Sequence, residues 1–185
     1  MILGIIDGIV RGLKDILNLN NIIEFEEKKP KLYNFILTSI STILTKSADN
    51  FHRACVFQPT VDRKELYMAY GPGYSPTALS ECTFEVEDSF AGWVYKRGEP
   101  RISGDIKTDP LFKQHPKATK DYDSLACLPI IANGQVISVL SIDGKAKNSF
   151  SEDDEHYIRY FANILGLLHQ ILEDKHKMLN KRRGD

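Results

Sequence analysis

Two apolar runs, at 124–131 and 135–142, flank the dipeptide Asn133-Gly134 in the second half of the chain. An Asn-Gly pair between two such runs is the strongest short-range sequence signal for a β-hairpin. We therefore predict that the two runs form adjacent antiparallel strands. Shorter apolar or alternating segments predict further strands at 52–59, 66–70, 82–87 and 100–103.

Apolar residues recur every three or four positions between Leu32 and Leu44, which predicts an amphipathic helix. Pro30 suits the first turn of that helix, because the amide hydrogen that proline lacks is not needed there. The polar residues 24–31 are accordingly predicted to be a connector.

A short helix is predicted to follow Asp88 or Ser89, either of which can act as its N-cap, and to end at Gly98. A long closing helix is predicted after Ser151-Glu-Asp-Asp, because acidic residues in the first turn favour the positive end of a helix dipole. Its apolar stripe continues to Leu172 and, more weakly, to Met178.

The first seventeen residues predict another amphipathic helix, in which Asp7, Arg11 and Lys14 share one face. Gly4, Gly8 and Gly12 recur every four residues and would allow a second helix to approach closely. Three glycines also weaken an isolated helix, so this one needs a partner. Packing on the domain or on a second copy is the favoured interpretation, with membrane association and disorder as the alternatives.

The polar segment 104–123 is too long for a structureless connection within a compact domain. Long segments of this kind usually carry a function. Asp109 can cap a single helical turn that begins at Pro110, so some local structure is expected.

The length of 185 residues fits one domain with extensions. We divide the chain into an N-terminal amphipathic helix and connector at 1–29, a domain at 30–173, and a helix end with a basic tail at 174–185. The formal net charge of −1 provides no overall field for nucleic acid, and no binding motif accompanies the basic tail. Three widely spaced cysteines argue against a disulfide framework and for a reducing compartment, and no apolar run is long enough to span a membrane.

Six short motifs follow one another from the middle of the chain onwards. They are Ala91-Gly-Trp-Val, Gly98-Glu-Pro, Ser103-Gly-Asp105, Ser124-Leu-Ala-Cys-Leu-Pro-Ile, Val136-Ile-Ser-Val-Leu-Ser-Ile-Asp and Phe150-Ser-Glu-Asp-Asp-Glu. In this order they resemble the GAF domains, and the resemblance covers about residues 31–172. The acidic opening of the last helix is a very close match, whereas Ser138 stands where the family generally has glycine.

This resemblance implies an α+β, GAF-like (profilin-like) fold. Its central antiparallel sheet would have five or six strands, with helices on one face and a ligand pocket under the 104–123 loop on the other. Members of the family often dimerise through their first and last helices, so a homodimer is expected. Ligands vary widely within the family, so the fold alone fixes little about function.

Some ligand classes known in the family lack their residues in this chain. The Asn-Lys-x-x-Phe-Asp signature of cyclic-nucleotide binders is absent, and no cysteine has the adjacent histidine that bilin attachment uses. The positions that match the catalytic cysteines of free-methionine-sulfoxide reductases are Ala91 and about Ala118. No cofactor is therefore predicted.

We expect a cytoplasmic, non-catalytic sensory module that binds a small molecule. The predicted ligand contacts are Phe57, Trp93, Asp105, Phe112, His115, Tyr122, Cys127 and Ser141.

Two alternatives remain open at this stage. The first is a protein–protein interaction or dimerisation module without a small ligand. The second is a redox enzyme that uses Cys127 or Cys82, although a cysteine inside a strand is more often a small buried apolar residue. A metal site is not predicted: His52 and Cys55 point to opposite faces of one strand, and the histidines of the last helix lack the required spacing.

Overall fold

The computed structural model describes residues 1–113 and 121–181. The described chain contains five helices and six strands. In order they are α1 (Ile2–Leu17), α2 (Ile22–Leu44), β1 (His52–Pro59), β2 (Glu65–Tyr70), α3 (Pro76–Glu81), β3 (Thr83–Glu85), α4 (Phe90–Arg97), β4 (Arg101–Ser103), β5 (Ser124–Ala132), β6 (Gln135–Gly144) and α5 (Glu152–Lys181).

The six strands form one antiparallel sheet in the order β3-β2-β1-β6-β5-β4. The predicted hairpin is its centre: β5 pairs with β6 along its whole length, and β1 pairs with the other edge of β6. Asn133 and Gly134 have φ angles of 51° and 73°. Positive values at both positions are those of a type I′ turn, which matches the twist of the two strands. The predicted α+β fold with a six-stranded antiparallel sheet is confirmed.

The two faces of the sheet are covered differently. On one face, α2 and α5 pack against alternate strand residues such as Ala54, Val56, Leu140 and Ile142, and α1 packs against α2 and α5. On the other face, α4 and the segment after β4 cover the remaining strand residues with a smaller apolar cluster. The three long helices and this segment thus lie on opposite faces, as the family resemblance implies, but the short helix α4 shares the face of the segment.

Side-chain caps fix the beginnings of several helices, α4 and α5 among them. The Ser89 hydroxyl accepts a hydrogen bond from the Gly92 amide at 3.0 Å and so caps α4. At the start of α5, the Ser151 amide donates to the Asp154 carboxylate at 2.9 Å, while the Asp154 amide donates back to the Ser151 hydroxyl at 3.3 Å. This reciprocal pair is the capping box that the sequence predicts.

The prediction that residues 24–31 form a connector is wrong, because α2 already begins at Ile22. The Asn21 side chain caps the helix by accepting from the Ile23 amide at 2.7 Å, and Phe25 is fully buried. Pro30 lies inside the helix, where it removes one backbone hydrogen bond. Burial of Phe25 in the same core as the rest of α2 explains why the helix extends through the proline.

A further difference concerns the face opposite α2 and α5, where the helix α3 was not predicted, although Ser75 caps it and Pro76 occupies its first position. As predicted, Asp109 caps a single turn that begins at Pro110. Its carboxylate accepts from the Leu111 amide at 3.0 Å, and its carbonyl accepts from the Phe112 amide at 3.1 Å. The carboxylate also pairs with Arg101.

The helix α1 packs along α2. The Phe35 ring lies 2.5 Å from the position that a Cβ atom on Gly8 would occupy. The Leu32 side chain lies 2.9 Å from the position that a Cβ atom on Gly12 would occupy. Glycine at these two positions therefore permits the close contact. Within the described residues, no helix is both long and apolar enough to cross a membrane.

Candidate functional site

A cavity of about 580 Å³ lies between the sheet and the elements α3 and α4. Volumes in this range hold small organic molecules. Strands β1, β5 and β6 form its floor, and residues of β2, α3, β3, α4 and the segment after β4 form its walls. Its lining residues are Arg53, Cys55, Phe57, Met68, Gly73, Tyr74, Ser75, Thr77, Ala78, Glu81, Cys82, Phe84, Ser89, Phe90, Ala91, Phe112, Lys113, Tyr122, Leu125, Cys127, Ser141 and Asp143.

The floor consists of two rows that run across the strands. Cys55, Ser141 and Cys127 are paired neighbours on β1, β6 and β5. Arg53 and Asp143 lie in the adjacent row on β1 and β6. Because side chains alternate between the two faces of a strand, residues two apart along each strand all point into the cavity.

A buried ion pair closes one end of the floor. The Arg53 guanidinium donates two hydrogen bonds to the Asp143 carboxylate, at 3.1 and 2.6 Å, and the Tyr74 hydroxyl donates to the same carboxylate at 2.9 Å. The guanidinium also lies over the Tyr74 ring, 4.4 Å from its centroid. Burial raises the pKa of Tyr74 well above its ordinary value, so the phenol keeps the proton that it donates.

Aromatic side chains make up much of the walls. Phe57 and Phe84 meet edge to face with ring centroids 5.3 Å apart, and Phe112 and Tyr122 do the same at 5.9 Å. Aromatic pairs in this geometry present both ring faces and ring edges to a bound molecule.

All three cysteines line the cavity, and all three are free thiols. Burial raises the pKa of Cys82 to about 11 and that of Cys127 to about 12, and it raises the pKa of Cys55 well above its ordinary value. Cys55 and Cys127 are separated by the whole of β6. Two strand spacings place their Cα atoms roughly 9–10 Å apart, which is too far for a disulfide.

A sequence model of a protein family, the GAF domain, matches residues 32–168 of this chain. The match includes the entire sheet and more than half of α5. This chain belongs to the GAF domain family. The family resemblance that the motifs indicate is therefore confirmed, and regulatory proteins are found among its relatives.

One such relative is a Nif-specific regulatory protein of Azospirillum brasilense, 24% identical over 146 residues. That match covers 69% of this chain but only 23% of the relative, so the chain spans less than a quarter of it.

Solved structures give the same fold. The GAF domain of a phosphoenolpyruvate-protein phosphotransferase from Coxiella burnetii is similar with a TM-score of 0.71 and 17% identity, over 94% of this chain and 96% of that one. A free methionine-R-sulfoxide reductase from Neisseria meningitidis, in complex with its substrate, is similar with a TM-score of 0.55 and 17% identity, over 94% of this chain and 89% of that one.

Five of the predicted ligand contacts line the cavity of this GAF domain: Phe57, Phe112, Tyr122, Cys127 and Ser141. Two do not. The Asp105 carboxylate accepts from the Lys147 ammonium at 2.6 Å and from the Lys107 amide, and the Trp93 ring lies beside the Arg101 guanidinium at 5.3 Å. His115 lies outside the described residues.

The sequence analysis missed the ion pair and its tyrosine. Asp143 follows the predicted end of the second hairpin strand at residue 142, but it lies within β6 and is 4% exposed. Side chains alternate between the two faces along β1 and β6. Arg53 lies two residues from Cys55, and Asp143 lies two residues from Ser141, so this alternation could have placed both on the cavity face. Tyr74 follows a Gly-Pro-Gly segment and gives no periodic signal.

Metal binding receives no support from the described part of the chain, where no group of three or more histidine, cysteine or acidic side chains could hold an ion. His52 and Cys55 do point to opposite faces: His52 packs against Phe150, with ring centroids 5.4 Å apart, and Cys55 lines the cavity.

Proposed function

We propose that this GAF domain is a non-catalytic regulatory module that binds a small molecule in the cavity between the sheet and α3 and α4. The single observation that carries this proposal is the cavity itself. It is of ligand size, and its aromatic walls meet a floor held by strand pairing and a buried ion pair.

A pair of substitutions at Cys127 tests the proposal. Cys127→Phe fills the space above the centre of the floor, whereas Cys127→Ser changes the same side chain without filling it. In a thermal-shift screen of small metabolites, we expect at least one compound to stabilise the wild type and the serine variant but not the phenylalanine variant. Stabilisation that persists in Cys127→Phe for every active compound would place binding elsewhere.

The state of the thiols supports a non-catalytic role. A cysteine nucleophile must be a thiolate, and buried thiols with raised pKa values stay protonated at neutral pH. Among the described residues, the Cys127 thiol donates a hydrogen bond to the Ser141 hydroxyl at 3.4 Å, and a hydroxyl is not a base that takes the thiol proton. Reduction of free methionine sulfoxide by the wild type, lost in Cys127→Ser, would contradict this part of the proposal.

Homodimerisation through flanking helices is the second part of the proposal, and α1 supports it. Leu3, Ile6, Val10, Leu13 and Leu17 recur at alternating intervals of three and four, the spacing of a coiled-coil seam. Leu3 is 82% exposed and Val10 is 57% exposed. An exposed apolar stripe of this kind favours contact with another helix.

The charges beside this stripe suit a second copy. Asp7 and Lys14 flank it seven residues apart, so an antiparallel pair of α1 helices can bring each next to its opposite charge on the other copy. Sedimentation velocity tests this: Val10→Asp should yield monomers, whereas the control Val61→Asp, in the exposed turn between β1 and β2, should not change the wild-type dimer. A wild-type monomer at micromolar concentration would refute dimerisation.

The proposal has two further parts. The chain acts as a regulatory part of a larger assembly, and it is located in the cytoplasm. The Nif-specific regulatory relative supports the first. The three free cysteines support the second, because unpaired thiols are typical of reducing compartments.

A further inference from the structure

We propose that the cavity takes an uncharged, largely aromatic molecule and discriminates against anions and zwitterions. This inference rests on the proposed ligand-binding function and names the class of ligand. It comes from the charges, hydrogen bonds and ring surfaces around the cavity.

The charged groups on the floor of the cavity are already paired. Within the described strands that form the floor, the ions are Arg53 and Asp143, which hold each other through two hydrogen bonds and are 12% and 5% exposed at their side chains. At the edge, Lys113 pairs with Asp88, and both of these side chains are more than half exposed. A ligand with one net charge therefore meets no free counter-charge on the described floor.

Four hydroxyl groups that line the cavity already make hydrogen bonds. The Ser89 hydroxyl donates to the Glu85 carbonyl and accepts from the Gly92 amide, and the Ser75 hydroxyl accepts from the Ala78 amide. Ser141 accepts from the Cys127 thiol, and Tyr74 donates to Asp143. An ionic ligand that recruited the buried groups among them would break a bond and leave its partner unsatisfied, which costs more than the new contact returns.

The remaining surface favours flat apolar molecules. Phe57, Phe84, Phe90, Phe112 and Tyr122 present rings to the cavity, and Met68 and the protonated thiols add polarisable sulfur. Rings and sulfur atoms gain stabilisation from contact with another aromatic ring without needing a charge.

A matched pair of probes tests the inference. Naphthamide and naphthoate have the same ring and nearly the same shape, but at neutral pH only naphthoate carries a charge. By equilibrium dialysis with the wild-type chain, we expect naphthamide to bind about tenfold or more tightly than naphthoate, since pairing a buried charge requires a partner that the floor does not offer. Cys127→Phe should abolish naphthamide binding, whereas Val61→Phe, in the exposed turn between β1 and β2, should retain it.

A variant that should gain affinity for naphthoate provides a second test of the inference. Asp143→Asn keeps the size of the side chain and its acceptor for Tyr74 but removes the charge that neutralises Arg53. We expect naphthoate affinity to rise about tenfold in this variant, while naphthamide affinity changes by about twofold or less. If the variant does not fold, the comparison of the two probes in the wild type still decides.

Three outcomes would overturn the inference. They are naphthoate binding as tightly as naphthamide in the wild type, naphthamide binding unchanged in Cys127→Phe, and binding of neither probe. Tight naphthoate binding that Cys127→Phe abolishes would refute the ligand class and leave the proposed function standing. Binding of neither probe, together with an inactive metabolite screen, would remove the proposed function too.

Discussion

Gly92 offers a sharp test of how α4 is held over the cavity. A Cβ atom at this position would lie 2.2 Å from the Val86 carbonyl oxygen and 2.7 Å from both its carbonyl carbon and its Cα. Real Cβ atoms essentially never approach closer than 3.0 Å, and all three neighbours are backbone atoms that cannot rotate away. Gly92→Ala must therefore displace α4 or the segment before it.

The size of the effect follows from two opposing terms. Alanine favours a helix over glycine by at most about 1 kcal/mol, whereas overpacking costs about 1–3 kcal/mol. The amide of Gly92 is also the one that Ser89 caps, so a displaced helix start weakens that hydrogen bond. We expect a net loss of about 2 kcal/mol in the free energy of unfolding.

Urea denaturation measures this loss, and Gly4→Ala is the matched control. Gly4 is the third residue of α1, as Gly92 is the third residue of α4, and nothing lies within 4 Å of its missing Cβ. Gly4→Ala should leave stability unchanged or raise it by up to about 1 kcal/mol. Equal stability of the two variants would refute the close approach of α4 to Val86.

Three other predictions concern the cavity and the start of α5. Phe112→Ala should weaken naphthamide binding several-fold to about tenfold in equilibrium dialysis, because an aromatic ring of the cavity wall is lost. Asp105→Ala should leave naphthamide binding unchanged, because Asp105 bonds to Lys147 and does not line the cavity. Asp154→Ala should cost about 2 kcal/mol at neutral pH by urea denaturation, because it removes the cap shared with Ser151. Burial opposes the charge of Asp154, but the hydrogen bonds from Ser151 and the ammonium of Lys46 together outweigh it and lower the carboxyl pKa. This contribution is therefore lost as pH falls through that lowered value. Burial lowers the pKa of His52, so below pH 6.5 the unfolded chain gains a proton that the folded chain resists. The free energy of unfolding of the wild type should therefore decrease as the pH is lowered from 6.5. His52→Phe should make this decrease smaller in urea denaturation across a pH series.

Each of these has a result that would contradict it. Equal loss of naphthamide binding in the Phe112 and Asp105 variants would mean that the 104–113 segment acts as a whole. An Asp154 variant whose deficit persists in strong acid would show that packing, not charge, accounts for the loss. An identical pH profile in the His52 variant would assign the fall to other groups.

The regular parts of the fold could be predicted because their patterns are local. The Asn133-Gly134 turn requires positive φ angles that asparagine and glycine tolerate, and the capping box of α5 lies within four residues. The start of α2 was misjudged because Pro30 is usual at a helix start, and only the tertiary burial of Phe25 carries the helix through it. The helix α3 has no buried residue and hence no apolar period to detect.

The cavity was predictable in part for the same reason. Cys127 and Ser141 could be assigned to the floor once the hairpin was recognised, and Phe112 and Tyr122 belong to the loop that covers it. The ion pair of Arg53 with Asp143 joins residues ninety positions apart. Only the register of β1 against β6 brings them together, and a single sequence does not reveal that register.

Side chains alternate between the two faces of the central strands, so the residues that hold this fold are separate from those that line its cavity. Along β1 and β6, Ala54, Val56, Leu140 and Ile142 face α2 and α5 and are fully buried, whereas the residues between them face the cavity. Large-to-small changes on the helix face leave unfilled space in a packed core. Changes on the cavity face alter a space that is already open, so they can change the ligand at less cost to stability. A GAF domain can therefore keep its sheet and helices at 17% identity, as the similarity to the phosphotransferase domain shows. The proposed class of ligand accordingly rests on the paired ions, bonded hydroxyls and aromatic walls of this chain's own cavity.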